Sequence, residues 1–234
     1  MNLRYFILFI FFFSVHISDV AAKQYSSVQI KHYVNQIPRE TEKSLDTLAE
    51  YLAHPFDNDY DKAKAAAFWI ASRINYDEYL YSNGKLSNII KHYNGQSPRE
   101  LINSRVGICS DFANLFKELC RRMKFRAYII SGYVYPVGKS LTPILKRNSR
   151  HAWNYFTYNK QKIYVDTTFM ASGTTGLKGS QSDSNRRRAL NTIKRENKYK
   201  SEINNFNEFY FDFSYKEEKD KRKYIRKENN IKRR

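Results

Sequence analysis

The sequence has little cysteine, little glycine and no long hydrophobic run. Two cysteines and eight glycines occur among its 234 residues. Two cysteines are too few for a disulfide-dense small scaffold or a cysteine-rich zinc module, and so few glycines exclude collagen-like and glycine-rich repeats. No stretch reaches about 18 uninterrupted apolar residues, so we expect no transmembrane helix in the mature chain.

What the sequence has in excess is positive charge and aromatic side chains. Its 41 lysines and arginines against 23 aspartates and glutamates give a formal net charge of +18, and 16% of its residues are aromatic. A hydrophobic content of 41% excludes wholesale disorder. The length allows one medium-sized domain with appendages and excludes a large multidomain protein.

The first 22 residues have the pattern of a secretory signal peptide. Arg4 precedes an apolar run of 11 residues, Tyr5–Val15, and the segment ends with the small residues Val20-Ala21-Ala22. As a helix, that run would span only about 16 Å, roughly half a bilayer. We therefore expect cleavage after Ala22 and a secreted or periplasmic protein; an uncleaved anchor is the alternative.

The last quarter of the chain, residues 178–234, carries half of the net charge, with 18 lysines and arginines against 9 aspartates and glutamates. We predict a partly disordered basic C-terminal extension. It either makes weak contacts with polyanions or anionic membrane surfaces or is a solvated tail. No nucleic-acid-binding motif is recognisable, so specific nucleic-acid binding is not expected. A group of aromatic residues within it could add a strand to the core: Phe206, Phe209, Tyr210, Phe211 and Phe213.

Helical patterns dominate the first part of the remaining chain. Residues 23–58 form a predicted N-terminal helical segment, in which apolar side chains recur at helical spacing over 45–52. Whether this segment is a pro-region over the site is left open by the sequence. In the following core, residues 59–177, Asp61 is a candidate cap for a second helix, and Ser97-Pro98 predicts the start of a third.

Strand patterns follow the last predicted helix, so the core is an α+β domain. An amphipathic helix is predicted from Cys109 to about Met123, and a strand over Ala127–Tyr135. Residues 151–158 and 162–169 then read as a hairpin that turns at Asn159-Lys160.

Three residues fall where a thiol hydrolase or transferase needs them. Cys109 begins a helix, where backbone N–H groups and the helix dipole stabilise a thiolate. His151 begins one hairpin strand, and Asp166 lies near the end of the other. With a two-residue turn, His151 and Asp166 are diagonal neighbours on one face, about 7 Å apart, whereas a three-residue turn places them on opposite faces. Spacing permits a Cys–His–Asp triad, and it equally permits three ordinary packing or surface residues.

Cys120 lies on the same predicted helix as Cys109, 11 residues further along. Their backbones would be about 16 Å apart, whereas a disulfide needs Cα atoms within about 7 Å. The sequence therefore predicts a free Cys109 and a core Cys120. The histidines and carboxylates lack metal-ligand spacing, so neither a metal nor a cofactor is expected.

Several motifs together resemble the transglutaminase-like superfamily. The run Arg105–Arg122, which begins Arg-Val-Gly-Ile-Cys-Ser-Asp, resembles its nucleophile helix. His151–Asn154 resembles its histidine strand and Tyr164–Phe169 its aspartate strand. Upstream, Trp69–Asp77 is similar to the helix before the core in the kyphoscoliosis-peptidase-like branch. The resemblance covers residues 60–172.

The resemblance implies a papain-like, transglutaminase-like α+β fold, with the nucleophile at a helix N-terminus that packs against an antiparallel sheet carrying His and Asp. It implies acyl transfer through a thioester, with Cys109 as nucleophile, His151 as general acid and base, and Asp166 orienting the imidazole. The backbone N–H of Cys109 would hold the oxyanion. The Trp69 indole is the candidate second donor, and core packing is the other interpretation of Trp69. No clustered acidic loops for calcium occur in the sequence.

Within this family we expect a secreted peptidase or amidase acting on a protein or peptide substrate, because water is abundant and no acyl-acceptor pocket can be read. Two alternatives are left open by the residues. One is a cross-linking transglutaminase with the same triad. The other is a non-catalytic transglutaminase-like binding scaffold with a polyanion-binding tail.

Overall fold

The structure, a computed structural model, describes residues 24–77, 95–136, 142, 149–171 and 206–213, and the backbone of residues 222–226. The predicted signal peptide and most of the basic C-terminal extension lie outside the described residues. Helices make up most of the first half, and the strands follow. The described α-helices are α1 (Ser27–Asn35), α2 (Leu45–Ala53), α3 (Asp59–Arg73), α4 (Pro98–Ser104), α5 (Cys109–Arg122) and α6 (Thr167–Ala171).

The helices predicted over 45–52, after Ser97 and from Cys109 are confirmed by α2, α4 and α5. The predicted cap of α3 is wrong. The N-cap of that helix is Asn58 rather than Asp61, and the side-chain oxygen of Asn58 accepts the N–H of Asp61 at 2.8 Å. Asp61 is buried instead, and its carboxylate accepts the N–H of Tyr25 at 3.0 Å. The chain ahead of α1 is thereby attached to α3.

Two sheets are described. A short parallel pair joins β1 (Asn75–Tyr76) to β2 (Val106–Gly107). An antiparallel sheet has the strand order β5-β4-β3-β6, with β3 at Ala127–Pro136, β4 at Arg150–Tyr158, β5 at Gln161–Val165 and β6 at Arg222–Arg226. The pair β1–β2 has no signal in the sequence, since two residues are too few to show alternation.

The hairpin of β4 and β5 turns at Asn159-Lys160, as predicted. Both turn residues have positive φ, 47° and 62°, which is the backbone of a type I′ turn. The register pairs Asn154 with Val165. Since side chains alternate between the two faces of a strand, His151 and Asp166 lie on the same face of the sheet.

The predicted strand over 162–169 is too long, because β5 ends at Val165. Asp166 stops the strand by capping α6. Its carbonyl accepts the N–H of Met170 at 3.0 Å, and its carboxylate accepts the N–H of Phe169 at 3.0 Å. An aspartate at this position favours a helix start over a continued strand.

The main core lies between the helices and the sheet, where α5 packs against α3 on one side and β3 and β4 on the other. Residues 206–213, which lie beyond the predicted core of residues 59–177, also belong to this packed region. Phe206, Tyr210 and Phe211 are buried in the main cluster. They form a 3-10 turn (Glu208–Tyr210) and one bridge to β5 rather than the strand considered above.

None of the described helices is both long enough and apolar enough to cross a membrane.

We expect Lys160→Gly to stabilise the protein by about 0.5–1 kcal/mol, because glycine adopts a positive φ without the steric cost that lysine bears. Urea unfolding followed by circular dichroism measures the change. Gln161→Gly is the matched control, since it removes an exposed side chain from extended backbone and should destabilise by about 0.5–1 kcal/mol. Equal losses of stability in both variants would contradict strain at Lys160.

Candidate active site

Cys109 is the first residue of α5 and is partly accessible to solvent. The chain reaches it through β2, which is held by hydrogen bonds to β1. The N–H of Asn75 donates to the Arg105 carbonyl at 2.8 Å, and the N–H of Asp77 donates to the Gly107 carbonyl at 2.9 Å. Because β2 is held in place by these hydrogen bonds, it positions the Cys109 thiol at the N-terminal, positive end of the α5 helix dipole.

Asp111 fixes the start of α5 from the buried side. One carboxylate oxygen accepts the N–H of Ile108 at 2.9 Å, and the other accepts the N–H of Gln96 at 3.0 Å. A Cβ at Gly107 would lie 2.9 Å from the Asp111 carboxylate and 2.6 Å from a Leu101 methyl carbon, so this close approach requires glycine. Sequence reasoning missed Asp111, although an acidic residue three positions after a helix N-cap is a recognisable signal.

His151 and Asp166 meet as the hairpin register requires. Nε2 of His151 lies 2.7 Å from Oδ2 of Asp166. The histidine side chain is 7% exposed and the aspartate side chain is fully buried. The second carboxylate oxygen is held by the N–H of Phe169, so both oxygens are engaged and the imidazole has one favoured orientation.

The imidazole of His151 is arranged to carry a positive charge. Burial alone would lower the pKa of His151, but the charge and hydrogen bond of Asp166, with a smaller contribution from a hydrogen bond to Cys109, raise it from 6.5 to about 10. Because Asp166 occupies Nε2, Nδ1 is the ring nitrogen left for Cys109.

The two cysteines differ in environment. Both are free, as the sequence predicts. Cys120 is completely buried, and burial raises the pKa of its thiol well above the usual value. Of the two, only Cys109 is accessible to a reagent or a substrate.

Asn154 joins the nucleophile helix to the histidine strand. It is completely buried, and its Nδ2 donates to the carbonyl of Ala113 in α5 at 3.0 Å and to that of Tyr128 in β3 at 3.3 Å. Ala113 lies one turn after Cys109, and Asn154 lies three residues after His151. This amide therefore ties the helix that carries Cys109 to the strand that carries His151.

The indole of Trp69 has a different partner from the one expected. Its Nε1–H donates to Oε1 of Glu42 at 2.9 Å, and the Arg105 guanidinium lies over its ring at 5.3 Å. An indole has a single donor, so this contact argues against an oxyanion role and for core packing.

Glu42 is the second residue that sequence reasoning missed, and nothing in its local sequence signals it. It is buried in a 3-10 turn at Arg39–Lys43, and its Oε2 accepts a hydrogen bond from Nη2 of Arg105 at 2.6 Å. Arg105 directly precedes β2. The N-terminal segment is therefore bonded to the strand that leads to Cys109 and is an integral part of the fold.

The backbone N–H groups at the start of α5 are a further feature of this region. Within the described ranges, the N–H groups of Cys109 and Ser110 have no hydrogen-bond acceptor, as is usual for the first turn of a helix. The described part of the chain also contains no group of three or more His, Cys, Asp or Glu that could hold a metal ion.

The chain resembles known proteins over its middle part. The model of a family described as the transglutaminase-like superfamily matches residues 46–167. Human kyphoscoliosis peptidase is 24% identical over 137 residues, which are 58% of this chain and 19% of that protein. The chain thus spans about a fifth of the length of the curated relative that it matches.

Solved structures show more distant likenesses. A candidate cysteine protease from Cytophaga hutchinsonii is 24% identical, with a TM-score of 0.41 over 58% of this chain and 40% of that one. The periplasmic domain of TgpA from Pseudomonas aeruginosa is 16% identical, with a TM-score of 0.41 over 65% of this chain and 51% of that one.

We expect the stability that His151 contributes to depend on pH. Because folding raises its pKa to about 10 from 6.5, the imidazolium contributes fully below about pH 6.5, and the contribution is lost as the pH rises through about 10. The difference in unfolding free energy between the native chain and His151→Gln should therefore be largest near pH 6. Urea unfolding at about pH 6, 8 and 10 measures it. A difference that is constant or grows with pH would contradict a charged His151.

Proposed function

The chain belongs to the transglutaminase-like superfamily, and on that premise we propose that it is a cysteine-dependent acyl-transfer enzyme acting on amide bonds of peptides or proteins through a thioester. One observation carries the proposal. An accessible cysteine at a helix N-terminus lies within hydrogen-bonding reach of His151, whose other ring nitrogen is 2.7 Å from Asp166. Cys109 is the nucleophile, His151 the general acid and base, and Asp166 the group that orients the imidazole.

The first half of the reaction forms the thioester. The Cys109 sulfur, as thiolate, attacks the carbonyl carbon of the amide and forms a C–S bond, while the carbonyl oxygen becomes an oxyanion. The imidazolium of His151 then gives its proton to the amide nitrogen, the C–N bond breaks, and the amine leaves. The acyl group is left on sulfur and the imidazole is neutral.

The second half releases the acyl group. Neutral His151 takes a proton from water, and the resulting hydroxide attacks the thioester carbonyl. The C–S bond breaks, the carboxylic acid product leaves, and the thiolate–imidazolium pair is restored. An amine in place of water would give a new amide by the same steps, which is cross-linking. We favour water because it needs no acceptor site.

The oxyanion is held by the backbone N–H of Cys109, with that of Ser110 beside it. Support comes from the lack of an acceptor for either group within the described ranges. Preorganised N–H donors of this kind stabilise charge as it develops on the carbonyl oxygen.

We further propose that the enzyme acts outside the cytoplasm. The pattern of Arg4, an apolar run and Val20-Ala21-Ala22 supports export with cleavage after Ala22. Protein for the assays below is therefore taken from the exported fraction, and its intact mass shows whether residues 1–22 have been removed. Retention of those residues in the exported protein would contradict this part of the proposal.

The nucleophile is tested by alkylation with iodoacetamide, mapped by mass spectrometry. We expect Cys109 to react at least about tenfold faster in the native chain than in His151→Gln, because the imidazolium no longer supports the thiolate there. Buried Cys120 is the internal control and should stay unmodified in both proteins. Equal rates at Cys109 would contradict the catalytic role and favour the binding scaffold.

The reaction is tested with casein as the probe, with and without a fluorescent primary amine. We expect new peptide termini or deamidated glutamines that are absent with Cys109→Ala, retained with Cys120→Ala, and present at a residual level with Asp166→Asn. Incorporation of the amine without hydrolysis would instead identify a cross-linking enzyme.

A further inference from the structure

The Asp166 carboxylate is held by a residue that the proposed chemistry does not use. Phe169 donates its backbone N–H to Oδ1 of Asp166 at 3.0 Å, while His151 occupies Oδ2. Rotation of the carboxylate would break one of these hydrogen bonds. The amide of Phe169 therefore restricts the direction from which Asp166 can meet the imidazole.

The ring of Phe169 lies against the imidazole of this hydrogen-bonded pair. It is stacked on the imidazole of His151 with 4.6 Å between ring centroids and 26° between planes. Trp153 lies nearly parallel to that imidazole at 6.0 Å and 17°. Apolar rings beside a polar pair exclude water, and a hydrogen bond is stronger where the local dielectric is low.

Residues 206–213, here called the C-terminal clamp, hold Phe169 and Asp166 from the outside. The N–H of Asp166 donates to the Tyr210 carbonyl at 2.9 Å, and the N–H of Asp212 donates to the Tyr164 carbonyl at 2.8 Å. The Tyr210 ring lies 5.4 Å from that of Phe169. The clamp thus contacts the aspartate strand on both sides of its end.

The C-terminal clamp is itself fixed to the helices of the N-terminal half. Glu208 pairs with Lys31 of α1, and the Tyr60 hydroxyl of α3 donates to Asp212 at 2.9 Å. Four of its aromatic side chains are buried: Phe206, Tyr210, Phe211 and Phe213. It is therefore a rigid support rather than a loose extension.

We propose that Phe169 is a positioning residue for the His151–Asp166 pair and that the C-terminal clamp holds its ring against the imidazole. Both lie outside residues 46–167, which the family model matches. The inference rests on the proposed function, because the orientation of the imidazole matters only if it acts with Cys109. It deepens that function by making residues late in the chain part of the active site.

The test compares Phe169→Leu with Phe125→Leu. Phe125 is also half-buried and its ring lies 5.8 Å from the Phe156 ring, but it lies outside the C-terminal clamp and none of the described ring contacts joins it to the imidazole. Proton NMR measures the exchange with water of the His151 Nε2 proton, identified by its loss in His151→Gln. We expect Phe169→Leu to speed this exchange at least about tenfold and to slow alkylation of Cys109 about fivefold. Phe125→Leu should change each by less than about twofold.

Phe169→Tyr, which keeps the ring, should restore native values of both rates. Exchange in Phe169→Leu within about twofold of the native rate, with a fall in melting temperature like that of Phe125→Leu, would overturn the proposal and leave a packing role. If Phe169→Leu does not fold, Tyr210→Leu removes the ring behind Phe169, and the absence of any faster exchange there would equally overturn it. The exchange measurement does not depend on Cys109, so failure of the proposed function is seen separately, as equal alkylation in the native chain and His151→Gln.

Discussion

The hydrogen bond between His151 and Asp166 is the contact on which the rest of the site depends. A fully buried carboxylate must be paired, because an isolated charge in the interior costs several kcal/mol. Asp166 is paired through both oxygens, with the His151 imidazole at 2.7 Å and the Phe169 N–H at 3.0 Å. The raised pKa of His151 follows from this pairing, and it leaves one ring nitrogen for Cys109.

Three local constraints bring the reacting groups to one place. The type I′ turn at Asn159-Lys160 sets the parity that puts His151 and Asp166 on one face. The Asn154 amide ties the nucleophile helix to the histidine strand. The Asp111 carboxylate holds Ile108 and Gln96, both of which precede the start of the nucleophile helix. Each of these three constraints is a local arrangement of hydrogen bonds, so backbone geometry positions the site residues as much as core packing does.

Much of this was predictable from local patterns. Helical spacing predicted α2 and α5, because periodicity fixes which side chains share a face of a helix. The hairpin with a turn at Asn159-Lys160 was also predicted, but the sequence left open whether the turn has two or three residues and therefore whether His151 and Asp166 share a face. Contacts between parts of the chain that are distant in sequence could not be predicted from such local patterns. The sequence left the Trp69 indole as a candidate oxyanion donor, whereas in the structure it donates its hydrogen bond to Glu42, which is 27 residues away in sequence. Likewise, β5 ended early because Asp166 caps α6, and the aromatic group at 206–213 packs as a clamp rather than a strand.

We propose that the Cys109 sulfur and the His151 imidazolium form the centre of an acyl-transfer site in this protein of the transglutaminase-like superfamily. The most direct measurement of that pair is the rate at which p-nitrophenyl acetate acetylates Cys109, followed by mass spectrometry in the native chain and in His151→Gln. We predict that Cys109 of the native chain is acetylated at least about tenfold faster than Cys109 of His151→Gln. Equal rates of acetylation in the two proteins would contradict a functional Cys109–His151 pair.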